Sequence, residues 1–302
     1  MAKNNLIKRN VHFSLIDIRL KGKPVEIQGV FDLIEHLDFN NGDRYHETSD
    51  GINLVAFLDS PKLPIYGIIG DSRKKALPMV ETIGKRGGLS LPSRKSGLFE
   101  GSHFAIFKNR YGKIIIAHEF NFHAPRIGRL AQYIMVKCES ILDYCSIEPI
   151  EIPDIKKILK GIKFPKYFEI RAHKSCSFAS LDGSLDSAFA NMADVTDADY
   201  FNVSFSCKRG RKDPLAMRNF ANIHSFMKTS DAYELLEKFC IGYKDPTDNQ
   251  DKKVELTNLF LSEPVNVKQV DLDHRSVDTR SMYAALDESI RKHYTLLDGI
   301  QV

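Results

Sequence analysis

Ionisable and amide side chains are concentrated in residues 118–123, which read His-Glu-Phe-Asn-Phe-His. Alternate side chains of a strand point to the same face, so Glu119, Asn121 and His123 share one face of the predicted strand. A carboxylate near an imidazole can support acid–base chemistry, in which the imidazole moves the proton and the carboxylate orients it or binds a metal. We therefore take Glu119 and His123 as candidate catalytic residues.

The same segment matches the zinc-binding H-E-x-x-H motif only in part. That motif needs two histidines four residues apart on one helix face, whereas His118 and His123 are five apart in a predicted strand. They then point to opposite faces. The sequence also lacks phosphate-loop, dinucleotide-binding and nucleophile-elbow motifs. It therefore predicts no metal site and no cofactor.

Residues 73–95 form a strongly basic segment. One acidic residue, Glu81, stands among seven basic ones: Arg73, Lys74, Lys75, Lys85, Arg86, Arg94 and Lys95. Glycines and prolines interrupt the segment too often for a long helix, so we predict a loop. A basic loop that leads towards a polar-faced strand is suited to an anionic partner such as nucleic acid.

A second group of cations follows the strand, in a helix predicted to start at Pro125. At about 100° per residue, Arg126, Tyr133 and Lys137 form one stripe, with Arg129 to one side. Cations at a helix N-terminus oppose the macrodipole, and an anionic ligand would remove that conflict. Such a stripe can contact phosphates while the tyrosine stacks on a base or sugar. A solvated helix face fits the same pattern.

A third basic cluster lies where a predicted strand connects to a helix. It consists of Lys208, Arg209, Arg211 and Lys212, and the polar face of the preceding strand carries Asn202, Ser204 and Ser206. Such a cluster can contact a phosphate backbone. It also fits a solubilising turn.

The elements that must position these groups are strands interleaved with helices. Apolar alternation and short apolar runs predict strands at 11–20, 52–58, 63–69, 103–107, 113–122, 167–173, 200–207, 254–261 and 265–272, and helical periodicity predicts helices at 25–37, 125–142, 154–159, 185–192, 215–227, 232–239 and 279–297. Because the order is not strictly βαβ, it favours an α+β fold, with mainly antiparallel sheets flanked by helices. The break in pattern around 145–153 predicts two domains, 1–148, which contains the basic loop, and 149–302.

Composition narrows the class of protein. The 302 residues carry 43 Lys and Arg against 39 Asp and Glu, a formal net charge of +4, which does not by itself identify a nucleic-acid binder. The longest apolar runs fall far short of the roughly 18 to 20 residues of a membrane span, and the first residues lack the apolar stretch of a signal peptide. Five widely spaced cysteines without a C-x-x-C pair agree with a reducing compartment. We expect a cytoplasmic protein without a membrane partner.

Two stretches carry a resemblance to known sequences. Residues 101–107 (GSHFAIF) and 118–126 (HEFNFHAPR), with the leading strand at 11–20, resemble the N-terminal half of uncharacterised bacterial proteins found in prophages and anti-phage defence regions. The resemblance covers about half of the chain and specifies no catalytic residue. It implies a role in phage defence or in its regulation.

Three functional hypotheses follow from the sequence. The leading one is a DNA- or RNA-binding component of an anti-phage defence system, which uses the three basic elements. The second is a nuclease or other phosphoester hydrolase that uses Glu119 and His123, with Arg126 holding the substrate anion. The third is a non-catalytic assembly partner whose basic segment meets an acidic protein surface. Whether the protein is an enzyme stays open at this stage, and each hypothesis allows a homo-oligomer.

Overall fold

The computed structural model describes residues 5–49, 51–73, 80–81, 89–90, 98–121, 123–162, 165–174, 176–196, 198, 200–206, 222–229, 235–245, 250–270 and 276–301. The chain has an α+β fold in which helices accompany two larger antiparallel sheets. It divides into two compact units, Met1–Ile147 with Ser262–Val302, and Glu148–Leu261.

The elements are numbered along the chain. The strands are β1 (Leu6–Leu20), β2 (Lys23–Pro24), β3 (Tyr45–Glu47), β4 (Asn53–Ser60), β5 (Ile65–Arg73), β6 (Val80–Glu81), β7 (Leu89–Ser90), β8 (Leu98–Lys108), β9 (Ile114–Phe120), β10 (Tyr144–Pro149), β11 (Pro165–His173), β12 (Tyr200–Ser206), β13 (Leu236–Lys244), β14 (Asp251–Glu255) and β15 (Ser262–Lys268). The helices are α1 (Ile27–Glu35), α2 (Gly128–Lys137), α3 (Ile155–Gly161), α4 (Gly183–Thr196), α5 (Ile223–Met227), α6 (Thr279–Lys292) and α7 (Tyr294–Asp298), with a 3₁₀ helix at Leu256–Leu259.

The first unit is built on a large sheet with the strand order β10-β1-β9-β8-β5-β4-β3. The long strand β1 is its hub, because it pairs with β9 and also with β2 and β15. A turn with Gly112 at φ 74° connects β8 to β9, as the sequence predicts. The strands β6 and β7 form a separate two-stranded pair.

Helices cover both faces of the large sheet. Consecutive residues of a strand point to opposite faces, so His103 and Phe104 of β8 mark the two sides. Phe104 contacts Phe31 of α1, with ring centroids 6.1 Å apart, and we name this side the α1 face. His103 contacts Thr279 of α6, and we name the other side the α6 face.

The C-terminal segment returns to the first unit, which differs from the predicted domain 149–302. β15 pairs with β1 in antiparallel register from Leu6↔Lys268 to His12↔Ser262. α6 then packs across β8, β9 and β15 and buries Met282 and Leu286. Pairing between the first and the last strand of a unit is set by long-range contacts, which local sequence patterns do not reveal.

The second unit contains a sheet with the order β12-β11-β13-β14. A core rich in phenylalanine fills it, with Phe168, Phe178, Phe226 and Phe239 all buried. The prediction of a helix at 232–239 is wrong from Leu236 onwards, because the chain there forms β13. The predicted strand 254–261 begins only as the end of β14 and continues as the 3₁₀ helix.

None of the helices in the described ranges is both long and apolar enough to cross a membrane.

Candidate functional site

Glu119 lies on the α6 face of β9 and is 2% exposed. Each of its carboxylate oxygens has a partner. Arg9 Nε on the neighbouring strand β1 donates to Oε1 at 2.9 Å, and His103 Nδ1 on β8 donates to Oε2 at 2.7 Å. The carboxylate therefore joins three adjacent strands through side-chain contacts. A buried carboxylate in this environment needs such partners, since desolvation of an unpaired charge is costly.

The contacts of Glu119 continue into α6. His103 Nε2 lies 3.2 Å from Thr279 Oγ1, at the first residue of the helix. A carboxylate, an imidazole and a hydroxyl follow one another here in the order of a hydrolase triad. Glu119 and His103 are buried, however, and none of the three side chains lines the cavity described below. We interpret the chain of contacts as one that docks α6 on the sheet.

Two further hydrogen bonds dock the same helix. Tyr66 on β5 donates to Asp287 Oδ1 at 2.6 Å, and Tyr283 donates to Asp59 Oδ2 at the end of β4. Burial and the bond to Asp287 raise the pKa of Tyr66 to about 12, so its hydroxyl stays protonated as a donor. These bonds and the Glu119 contacts hold α6 along the sheet.

A cavity of about 580 Å³ lies at the start of β1 and at the ends of β9 and β15. Its lining comprises Ile7, Lys8, Arg9, Asn10, Phe120, Asn121, His123 and Gln269, all from the first unit. The volume is within the usual range of ligand-binding clefts. The cavity is thus large enough for part of a substantial ligand.

The described residues that line the cavity include two cations and several amides. None of the described residues that line it is acidic, whereas Lys8 and Arg9 are cationic and three others carry amides. Lys8 is exposed and forms no ion pair with any described residue. Arg9 contributes to the cavity while its Nε holds Glu119, so the buried carboxylate fixes the position of the guanidinium.

Asn121 connects the cavity to the neighbouring strand. Its Nδ2 donates to the Gly101 carbonyl of β8 at 3.0 Å, and its Oδ1 accepts from the His123 backbone N–H at 3.2 Å. Both bonds fix the chain just after β9 ends, which leaves His123 exposed at the cavity.

The opposite face of β9 has a different composition. His118 pairs across the strands with His12 and Phe104 on the α1 face. Burial, with a contribution from Arg126, lowers the pKa of His12 to about 4, and burial lowers the pKa of His118 well below its usual value. The Arg126 guanidinium lies 4.5 Å from the centroid of the Phe120 ring. Both histidines are therefore neutral near pH 7.

Most of the predicted basic residues lie outside the described part of the chain. This applies to Lys74, Lys75, Lys85, Arg86, Arg94, Lys95, Lys208, Arg209, Arg211 and Lys212, and the structure describes Arg73 only as the backbone partner of Leu98 at the end of the β5–β8 pairing. Their predicted role in binding nucleic acid stays a prediction.

The predicted basic stripe on α2 is not a continuous ligand surface. The helix begins at Gly128, later than predicted, so Arg126 precedes it. Tyr133 is fully buried and its hydroxyl donates to the Arg44 carbonyl at 2.9 Å. Its predicted stacking on a base or sugar is wrong, because no base can reach a buried ring.

The other two residues of the stripe bond to their own surroundings. Lys137 Nζ donates to the Tyr45 carbonyl at 2.7 Å, and Arg129 donates to Gln132, one turn further on, at 2.8 Å. The predicted group therefore does not act as one surface.

The two candidate catalytic residues, Glu119 and His123, lie in different environments. His123 lines the cavity and is exposed, whereas Glu119 lies behind Arg9 with both oxygens engaged. A carboxylate held in this way is unsuited to exchange protons with a ligand in the cavity. The described residues also contain no cluster of three or more His, Cys, Asp or Glu side chains that could hold a metal ion.

Four polar residues of the cavity were not predicted from the sequence: Lys8, Arg9, Asn10 and Gln269. β1 extends to Leu6, five residues before its predicted start, and β15 brings Gln269 beside it. Residues 6–10 read Leu-Ile-Lys-Arg-Asn and show no apolar–polar alternation, so the local sequence gave no signal for this part of β1.

No protein-family model matches this sequence, and no curated protein matches it.

Proposed function

We propose that this protein binds nucleic acid, and that the cavity at the ends of β1, β9 and β15 holds the phosphate backbone. The observation that carries the proposal is the lining of that cavity, which combines Lys8, Arg9 and the exposed His123 with no acidic residue among those described. Such a lining favours an anion over a neutral or cationic ligand.

The chemistry of the lining suits phosphate oxygens in particular. Lys8 and Arg9 provide charged donors, and Asn10, Asn121 and Gln269 provide neutral amide side chains. Charge-assisted hydrogen bonds to phosphate are stronger than neutral ones, and contacts of this kind fix the register of a nucleic acid without reading its sequence. We therefore expect the protein to bind nucleic acids of different sequence with similar affinity.

Substitution of Lys8 tests the proposal. Lys8→Glu places a negative charge in the cavity, and we expect at least a tenfold loss of affinity for a fluorescently labelled oligonucleotide, measured by anisotropy at low salt. Lys23→Glu is the matched control, because Lys23 is also exposed and lies in β2, which pairs with the other end of β1.

The dependence on salt gives a second reading of the same titrations. Each neutralised phosphate contributes a slope of about −0.7 for a single strand and about −0.9 for duplex DNA to the plot of log K against log salt. We expect Lys8→Ala to make the slope less negative by about one contact. Undetectable binding at low salt, or equal losses in Lys8→Glu and Lys23→Glu, would refute the proposal.

A role in phage defence rests on the sequence resemblance. If nucleic-acid binding serves that role, bacteria that carry Lys8→Glu should lose protection in a phage-challenge assay, while those that carry Lys23→Glu keep it. Equal protection with both variants would show that defence does not depend on the cavity.

A further inference from the structure

Three exposed aromatic rings form a row on the first unit. Phe57 of β4 lies between Phe39 and Phe99, with ring centroids 5.4 Å away on each side. The exposed fractions of Phe39, Phe57 and Phe99 are 38%, 37% and 42%. Large rings that remain exposed and mutually ordered mark an interaction surface more often than isolated apolar residues do.

Two glycines allow Phe99 to lie close against the sheet. Gly70 of β5 and Gly101 of β8 are direct cross-strand partners. A Cβ atom added to Gly101 would come within 2.7 Å of Phe99 Cε1, and one added to Gly70 would also overlap this ring. The Phe99 ring therefore lies directly over Gly70 and Gly101, and a side chain at either position would displace it.

Gly101 connects the row of rings to the cavity proposed to hold phosphate. Gly101, against which Phe99 packs, accepts the hydrogen bond from Asn121 Nδ2 at 3.0 Å, and Asn121 lines the cavity. Asn121, which lines the cavity, and Phe99, which belongs to the row, therefore both lie beside Gly101.

Arg44 supports the far end of the row. Its guanidinium lies 4.2 Å from the centroid of the Phe39 ring, and Arg44 is 4% exposed. The buried cation holds one side of this ring by a cation–π contact. Both ends of the row therefore have defined packing partners, Arg44 for Phe39 and the two glycines for Phe99.

We infer that the occupant of this surface is single-stranded nucleic acid, whose bases stack on Phe57 and Phe99 while its backbone lies in the cavity. This inference rests on the proposed function and adds the class of nucleic acid. The bases of a duplex already stack on one another, whereas a single strand offers free faces to aromatic side chains. Lys8 and Arg9 in the cavity lining, with no acidic residue among the described ones, favour a polyanion over an apolar protein segment.

The test compares ligands with and without bases. The two probes are a labelled oligothymidine and an abasic oligonucleotide with the same number of phosphates. We expect the wild-type protein to bind the oligothymidine about a hundredfold more tightly than the abasic strand, about tenfold for each of the two stacking rings. We expect Phe57→Leu with Phe99→Leu to remove that preference, with about a tenfold loss for each ring, and to leave the affinity for the abasic strand unchanged.

Two controls accompany the double variant. Tyr111→Leu removes another exposed ring, at the turn that connects β8 to β9, and should leave both affinities unchanged. The thermal unfolding midpoint of each variant checks that the fold is retained. Gly101→Ala displaces the Phe99 ring without removing it, and it should also reduce the preference for the oligothymidine.

The outcomes separate the two proposals. If Lys8→Glu weakens binding of both strands but the double variant changes neither, the stacking surface is refuted and the phosphate cavity stands. If the wild-type protein binds neither strand, the proposed function itself fails. A preference for duplex over oligothymidine would also overturn the inference.

Discussion

Two adjacent buried residues of β9, His118 and Glu119, lie on opposite faces of the sheet in different environments. On the α1 face His118 lies among apolar and histidine neighbours, and burial keeps it neutral. On the α6 face Glu119 is equally inaccessible, but Arg9 and His103 hold its two oxygens. Burial keeps the histidines of the α1 face neutral, whereas on the α6 face two basic side chains bond to the buried carboxylate.

This difference shows where a charged ligand can bind. Tyr133, which the sequence places on a ligand surface, is part of the core. On the α6 face Arg9 bonds to Glu119 and also lines the cavity. Asn121 lines the same cavity and bonds to Gly101, which lies beside the exposed Phe99 ring. The candidate site therefore begins where the paired charges of the α6 face meet solvent.

The largest effect is expected from removal of Glu119. Glu119→Ala leaves Arg9 and His103 without their shared acceptor, and loss of one partner from a buried ion pair costs about 3 to 5 kcal/mol. Urea unfolding should show this decrease in the free energy of unfolding. Glu139→Ala, at an exposed position, is the control and should change it by less than about 0.5 kcal/mol.

Glu119→Gln then separates a structural role from a catalytic one. The amide retains the shape of the side chain but not its charge, so the variant should be less stable while the folded protein still binds oligonucleotide. An unchanged stability together with complete loss of a nuclease activity would favour the catalytic hypothesis instead.

The α1 face should respond to acid. The pKa values of His12 and His118 are lower in the folded protein than the ordinary value of 6.5. Their neutral forms therefore stabilise the fold fully above about pH 6.5, and this stability falls as the pH decreases towards 4. Each histidine contributes about 1.4 kcal/mol per pH unit within that window.

Chemical unfolding at pH 7.5 and 5.5 measures this effect, in a range where most carboxylates stay ionised. The free energy of unfolding should fall by about 2 to 3 kcal/mol for the two histidines together, and His12→Gln should reduce the difference by about half. A stability that does not change with pH in the variant and wild type alike would contradict neutral burial.

A smaller effect is expected at Tyr133. Tyr133→Phe leaves the Arg44 carbonyl without its buried donor and should cost about 1 to 2 kcal/mol. Oligonucleotide affinity should stay within twofold of the wild-type value. Tyr111→Phe, at an exposed ring, serves as the control for the stability measurement.

The smallest effect is expected at Lys137, whose ammonium group bonds to the Tyr45 carbonyl. Lys137→Ala should change the affinity for an oligonucleotide less than twofold, in contrast to Lys8→Ala. If Lys137→Ala weakened binding as much as Lys8→Ala did, the assignment of the ligand to the cavity would be wrong.

Much of the fold could be predicted from the sequence because its signals are local. The alternation of β1, the turn at Gly112 and the apolar stripe of α6 all depend on residues close in the chain. β13 was mistaken for a helix because Leu236, Phe239 and Cys240 also fit a helical period, and only pairing with β11 decides between the two.

The candidate site was harder to predict. Asn121 and His123 were found because they are close in sequence at the end of one strand. Lys8 and Gln269 reach the same cavity through the pairing of β1 with β15, a contact between distant parts of the chain. The row of Phe39, Phe57 and Phe99 likewise depends on three separate segments.

The most direct test of the account is ultraviolet crosslinking of the wild-type protein to an oligothymidine, followed by mass spectrometry of the crosslinked peptides. We expect crosslinks at Phe57, Phe99 or His123, and their loss when unlabelled oligothymidine competes. Crosslinks found only within Glu148–Leu261, with none at these three residues, would contradict it.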